Sequence, residues 1–576
     1  MTRSRTSLLI CVLLSLSVGL MPSTTVWAQA SPVEKLVSGT PDGVLGFIAI
    51  SGGDNIKTAF DKTVTARLWR DPGVQSFIEA LELGLLANLT DREDDPEAAQ
   101  AIEMIRGSIR LALTRPLVIG VAQKEAQDGP PIFGFAMLDA GPRKAEIVSA
   151  LAKLESIAGE GNIVDVQVGS LTMHGPKDPG GVPGYWGWAG DHLILSVNDG
   201  TGLAMKNLQS GSAQALSQIQ KVPGGGDAFV IHLNKEKIFD LLDIIARMQG
   251  GEEEFGKIKA VIKELGLDNL KTLTARVGFD GKDTVGGSLI EVPTPRKGLF
   301  THLKTIDLEM FDAVDAGAMA ASAFNVDMGG LYDTIMQAIK TVAGENFAEV
   351  EQGIAGLEAQ LQIKIRDGLL KSLEGPMVVY SMPGGPATGS PQGAFALVAK
   401  LRDAEAWEKS ITALGQFAAA ASEGMVQVSS QPQGDKTVHT WTVLPLAMAQ
   451  IMPSWSIVGD RVVIASNPTF LKSGIDQLGS GGKSIRDTEG FKNATANLPD
   501  NLVSFRYNDT KVQFNQMMMG VQQFWPMVTM YATKAGFKLP VVLPNLSHIA
   551  EYMGPSYEYS WFDNQGIRSR SRAVGL

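Results

Sequence analysis

The feature that most limits what this chain can fold into is its likeness to itself. Arg115-Pro116-Leu117-Val118-Ile119-Gly120-Val121 leads to Phe133-Gly134-Phe135-Ala136-Met137-Leu138. Gly375-Pro376-Met377-Val378-Val379-Tyr380 leads in the same way to Ala394-Phe395-Ala396-Leu397-Val398, with Phe395 standing 260 residues after Phe135. Each pair of apolar runs precedes a helical stripe: Ile147, Leu151 and Leu154 in one case, Trp407, Ile411 and Leu414 in the other. That i, i+4, i+7 spacing buries one helix face.

The match continues in chain order. Trp186 followed by Gly190-Asp191-His192-Leu193-Ile194-Leu195 answers to Trp455 followed by Gly459-Asp460-Arg461-Val462-Val463-Ile464. Glycine supplies the positive φ of a tight hairpin turn at both places. Asn198 and Asn467 come next, each before a helix expected to end near Ser210-Gly211 or Ser480-Gly481. A strand at 228–233 and one at 502–507 then feed helices whose stripes run from Ile238 to Met248 and from Phe514 to Trp525. A final hairpin turns at Asp280-Gly281 in one copy and at Asp563-Asn564 in the other.

Strand runs joined by hairpin turns and interrupted by single helices give an α+β fold: two tandem related halves, mainly antiparallel sheets with amphipathic helices packed on them. The expected division is a leader at 1–30, a first repeat at 31–292, a linker at 293–305 and a second repeat at 306–576. Pro293-Thr294-Pro295 supplies the joint, because the residue before each proline is restricted to extended backbone. The acidic stretch Asp91 to Glu97 reads as a solvated insertion in the first repeat.

The leader has the form of a cleavable signal peptide. Arg3 and Arg5 precede an apolar stretch from Leu8 to Met21, and Ala28-Gln29-Ala30 offers the small-x-small cleavage pattern, leaving Ser31 as the mature N-terminus. Fourteen apolar residues fall short of the roughly 20 a bilayer span needs, and an uncleaved N-terminal anchor is the alternative reading. No later segment is expected to span. The destination is therefore extracytoplasmic: periplasm, cell envelope or secreted. Cys11 is the only cysteine and lies in the leader, so a mature chain has no disulfide, thiolate nucleophile or cysteine metal ligand. A net charge of −11 would repel phosphate backbone and excludes nucleic acid as a partner.

Catalytic, cofactor and metal residues are expected to be none. Gly479-Ser480-Gly481-Gly482-Lys483-Ser484 superficially suggests a phosphate loop. The glycine required five positions before Gly482 is Gln477, however, and a helix rather than a strand precedes it, so the segment reads as a helix C-terminal turn. His174 and His439 match 265 residues apart, but each lacks a second ligand at metal spacing and reads as a hydrogen-bonded strand histidine. His192 and His232 match Arg461 and Arg506, which reads as exposed positions. No G-x-S-x-G, S-x-x-K set or H-E-x-x-H is present. The binding candidates are Trp186 and Trp188 on one strand, and Phe524, Trp525 and Met527 on a Met-rich helix that Pro526 is expected to kink or end. Core packing competes with ligand stacking at each of them.

The order of opening strand, strand pair, helix, Gly-Asp hairpin (190–198 and 459–467) and short helix resembles a bacterial exported domain family of unknown function that occurs as tandem repeats behind a signal peptide. The resemblance implies the fold and the compartment and carries no catalytic residue. The leading functional expectation is a non-catalytic binding or scaffold protein of the envelope, using a groove between its halves, with a ligand or an envelope protein as partner and no implied oligomeric state. The alternatives are a hydrolase of envelope polymers with a carboxylate pair in that groove, and an apolar-ligand or lipid carrier using the Met-rich helix.

Overall fold

The structure, a computed structural model, describes residues 31–89, 107, 111–123, 131–158, 162–168, 171–177, 184–197, 214–222, 227–390, 393–534, 539–540 and 542–576. The leader, the acidic 91–97 stretch, Asn198 and the helix expected before Gly211 lie outside these residues.

Ten strands occupy the first part: β1 (Val44–Ile50), β2 (Leu117–Gln123), β3 (Ile132–Asp139), β4 (Ile163–Val168), β5 (Leu171–Pro176), β6 (Gly184–Ala189), β7 (His192–Val197), β8 (Phe229–Asn234), β9 (Thr272–Asp280) and β10 (Asp283–Glu291). Ten more follow: β11 (Ala320–Phe324), β12 (Leu373–Met382), β13 (Ala394–Leu401), β14 (Val426–Gln433), β15 (Lys436–Val443), β16 (Ser454–Val458), β17 (Arg461–Ala465), β18 (Leu502–Asn508), β19 (Met553–Phe562) and β20 (Gly566–Gly575). Among the helices, α1 (Pro32–Val37) precedes β1, α2 (Lys144–Ala158) follows β3, α3 (Gln214–Gln220) precedes β8 and α4 (Lys235–Gln249) follows it. In the later part α5 (Ala404–Ala421) follows β13, α6 (Pro468–Ser480) follows β17, α7 (Glu489–Thr495) precedes β18 and α8 (Thr510–Lys534) follows it. The fold is α+β.

All the pairings are antiparallel and join the strands into one sheet of 20. Its spatial order is β4-β5-β6-β7-β3-β2-β1-β8-β9-β10, then β20-β19-β18-β11-β12-β13-β17-β16-β15-β14. Reading outward from the β10–β20 pairing, the two sides meet strands in the same sequence. One transverse row shows the register: Ile194, Met137, Val118, Ala49, Val230, Arg276, Gly287, then Arg570, Tyr559, Phe505, Ala323, Val378, Val398 and Val463. The expected groove between halves is therefore not a gap between two bodies. Backbone hydrogen bonds from Thr284 through Glu291 to Gly566 through Ala573 close the junction.

The face bearing that row carries the two larger cores. Val33, Leu36 and Val37 of α1 and Ala215 and Ile219 of α3 cover Phe47, Val118, Phe135 and Met137 on one side. On the other side, Phe470 and Leu471 of α6 and Phe491 of α7 cover Val378, Ala396, Val463 and Phe505. The opposite face has smaller cores at its outer parts, where Ile147 of α2 meets Leu138 and Leu193, and Trp407 of α5 meets Trp455 at 5.1 Å, edge to face. Fully burying each large side chain contributes about 1.5–3 kcal/mol.

The Gly-Asp turns close β6–β7 and β16–β17 with φ of 63° at Gly190 and 65° at Gly459. Two expected correspondences are one residue out. Phe135 is 3% exposed and faces the larger core, whereas Phe395 is 51% exposed on the other face. In pairing order, Ala396 holds the place of Phe135. His232 is likewise not an exposed counterpart of Arg506; it is 1% exposed, and Tyr507 holds its place. The helix caps set this register, for Asn234 accepts from the Lys237 amide and Asp509 from the Val512 amide. A slip of one residue turns every side chain to the opposite face.

The start of the 293–305 joint is held by hydrogen bonds. Asn269 Nδ2 donates to the carbonyls of Pro293 and Pro295, and Arg296 donates to those of Asp563 and Gly566. Pro526 does not end its helix, since α8 runs on to Lys534. Gln522, whose carbonyl loses its donor to the proline, is exposed to water.

Candidate functional site

The aromatic candidates do not form one site. Nine strands separate β6, which carries Trp186 and Trp188, from β18, which leads into α8. Trp186 packs against the Leu138–Ile147–Leu193 core and donates Nε1 to Glu155 Oε1 at 3.3 Å. Trp188 joins the same core, with the Lys144 ammonium 5.2 Å from its ring centre. Trp525 turns inward, its ring 5.6 Å from Phe77 and its Nε1 donating to the Pro540 carbonyl at 2.8 Å. Phe524 and Met527 point outward and are about half exposed.

The matched histidines are both held on strands. His174 Nδ1 lies 2.9 Å from Asp165, and His439 Nδ1 lies 2.8 Å from Ser430 Oγ while its ring stacks on Trp455 at 3.8 Å. Burial lowers the His439 pKa, against the pull of Glu408. Among the described residues no group of three His, Cys, Asp or Glu side chains is placed to hold a metal. The glycine-rich 479–484 segment is the end of α6, with Gly481 as its left-handed cap.

The site with unspent chemistry lies at the β10–β20 junction, on the face opposite the large cores. Two transverse rows cross it: Ala275, Ser288 and Ser569 line it from one, and Ser571, Glu558 and Arg506 from the other. Small side chains on the central strands leave a trough of about 400 Å³, walled by Thr510 and Gln513 of α8. Ser560 and Ser569 share a hydrogen bond of 2.9 Å, and Asn508 Nδ2 and Thr510 Oγ1 both reach Ser556 Oγ. Asn508 Oδ1 is buried without a partner.

Arg506 and Glu558 are direct cross-strand neighbours on this floor. Among the described residues neither makes a hydrogen bond or closes an ion pair. Glu558 opens to the mouth of the trough, yet protein on its other sides disfavours its charge and raises its pKa, against the pull of Arg506. In pairing order Ile231 and Ala275 stand where Arg506 and Glu558 stand, so the charged pair belongs to one side of the junction only. Sequence reasoning missed these residues. The available signal was Arg568-Ser569-Arg570-Ser571-Arg572, a strand polar on both faces.

Glu558 is the one carboxylate among the described residues lining the trough, whereas a glycosidase pair needs two, roughly 5–9.5 Å apart. Beside the methionines of α8 lies a second depression of about 650 Å³, lined by Met518 and Met519 together with Asn515, Gln522, Asn545, His548 and Glu551. Its lining is divided about evenly between polar and apolar surface. No helix among the described residues is long and apolar enough to cross a membrane.

No protein-family model and no curated protein matches the chain. Among solved structures, crystal form I of TP0453 aligns at 12% identity over 45% of this chain and 75% of its own, with a TM-score of 0.21. Crystal form III aligns at 11% identity and 0.20. Superposition that loose transfers neither fold nor function.

Proposed function

We propose that this chain is an exported, non-catalytic binding protein of the cell envelope whose ligand occupies the trough at the β10–β20 junction. The observation that carries the reading is the exposed Arg506–Glu558 pair, cross-strand neighbours with no hydrogen bond to the protein, beside a group of serines. Both side chains are open to solvent and free of hydrogen bonds to the protein, so a ligand that reaches them gains charge-assisted hydrogen bonds. The ligand class is small and polar, with an anionic group for Arg506 and hydroxyl or amide groups for Glu558, Asn508 and the serines. We also read the recurring strand order as a duplicated ten-strand unit, in keeping with the tandem exported family that the sequence resembles.

Thermal-shift screening of the mature chain against small-molecule extracts of the envelope tests the reading. A ligand at 100 times its Kd stabilises the native state by about 2.7 kcal/mol. Arg506→Ala should weaken the shift and Ser288→Trp, which fills the trough, should abolish it, while Trp186→Ala leaves it in place. A shift that survives both trough variants rejects the site. The lipid-carrier reading has one observation in its favour: from Val512 to Thr533 helix α8 carries no charged residue, and Met517, Met519, Phe524, Met527 and Met530 are exposed.

A further inference from the structure

The far end of the chain holds a charge that the fold leaves unbalanced. Ser31 is the N-cap of α1 and accepts from the Glu34 amide at 3.1 Å. Its hydroxyl donates to Asp227 Oδ2. Asp227 has a side chain 1% exposed and is gripped by Arg276, whose Nε and Nη2 donate at 2.6 and 2.7 Å. Arg276 also reaches Glu34 Oε1 at 2.9 Å and the carbonyls of Ile219 and Val222. Two carboxylates thus face one guanidinium in a place nearly closed to water. Buried ions ordinarily balance, because an uncompensated charge costs several kcal/mol in low dielectric.

We propose that the missing cation is the α-ammonium of Ser31, released when the leader is cut after Ala30, so that processing itself completes the buried cluster. This rests on the expected cleavage site. One serine and one hydrogen bond span roughly 5–6 Å, so the Ser31 nitrogen stands within that distance of Asp227. Before cleavage the same nitrogen is a neutral amide and the cluster keeps its excess negative charge. The segment is also built into the core at once, for Val33, Leu36 and Val37 are each 1% exposed or less. Of the elements packed on α1, strands β1 and β2 and helix α3 carry no ionisable side chain, and β3 carries only Asp139, which pairs with Arg115. Lys35, the other charged residue of α1, is exposed.

The test compares the mature chain begun at Ser31 with one begun at Ala28, which moves the charged terminus away. At pH 7 the Ser31 chain should melt several degrees higher. The sign follows from a terminal amine whose pKa rises above its free value of about 8 on folding: the added stability is complete below that value and is lost as pH rises through the elevated one. The gap should therefore close in strong base. Asp227→Asn and, as a milder second variant, Glu34→Gln each leave one carboxylate for Arg276 and should erase the gap at pH 7. Equal melting of the two chains at pH 7, or a gap that persists unchanged in Glu34→Gln, overturns the proposal. So does an intact mass showing the exported chain cut elsewhere, an outcome that leaves the trough reading untouched.

Discussion

His232 makes the most quantitative forecast. Its ring is 1% exposed, 5.3 Å from Phe47, with Nδ1 2.9 Å from Thr274 Oγ1. Burial pushes its pKa from 6.5 down to about 4, with Glu291 opposing and Lys221 adding to the drop. The native ring stays neutral where the unfolded chain would already have taken a proton. Stability is therefore complete above about pH 6.5 and falls as pH drops towards 4, where the loss levels off. At 1.36 kcal/mol per pKa unit the loss is roughly 3 kcal/mol. His232→Gln keeps a polar partner for Thr274 but cannot titrate. Urea unfolding of both proteins from pH 8 to pH 4 should show wild type losing roughly 3 kcal/mol more than the variant, almost all below pH 6.5. NMR of the ring should show no titration down to pH 5. A native ring titrating near 6.5, or parallel losses in the two proteins, refutes the register that turns His232 into the core.

Three further outcomes follow from burial. Arg276→Met strands Asp227, so urea unfolding should show about 3–5 kcal/mol of destabilisation, and a loss below about 1 kcal/mol would contradict the buried cluster. Phe524→Ser and Met527→Ser should each cost only about 1 kcal/mol, because both side chains are already about half exposed. Trp525→Ala should cost about 2 kcal/mol or more through its lost contact with Phe77 and its lost hydrogen bond to Pro540. If the serine variants instead release co-purifying lipid, the carrier reading displaces the trough.

How much was legible in the residues can be judged at particular places. The hairpins at Gly190-Asp191 and Gly459-Asp460 were readable because a turn depends on a few consecutive residues and a local φ. The stripes containing Ile147 and Trp407 were readable because helical periodicity is equally local. Parity along β3 and β13 was not. Apolar side chains line both faces of these strands, so Phe135 matches Phe395 as easily as Ala396 does, and alternation cannot choose between them. The same ambiguity misplaced His232. Pro526 does not end its helix, since an exposed helix tolerates a proline whose orphaned carbonyl meets water.

The order of residues by itself determined the α+β class, many of the strands and helices, and the turns that close the Gly-Asp hairpins. These follow from backbone stereochemistry and from patterns a few residues long. Only the tertiary structure decided that β10 and β20 zip together into one sheet, and that the serines of β20 face a trough while its arginines face the other way. It also decided that Arg506 and Glu558 meet there as cross-strand neighbours with no hydrogen bond to the protein. Pairings between strands hundreds of residues apart are chosen by competition among whole surfaces, and no local window contains that competition.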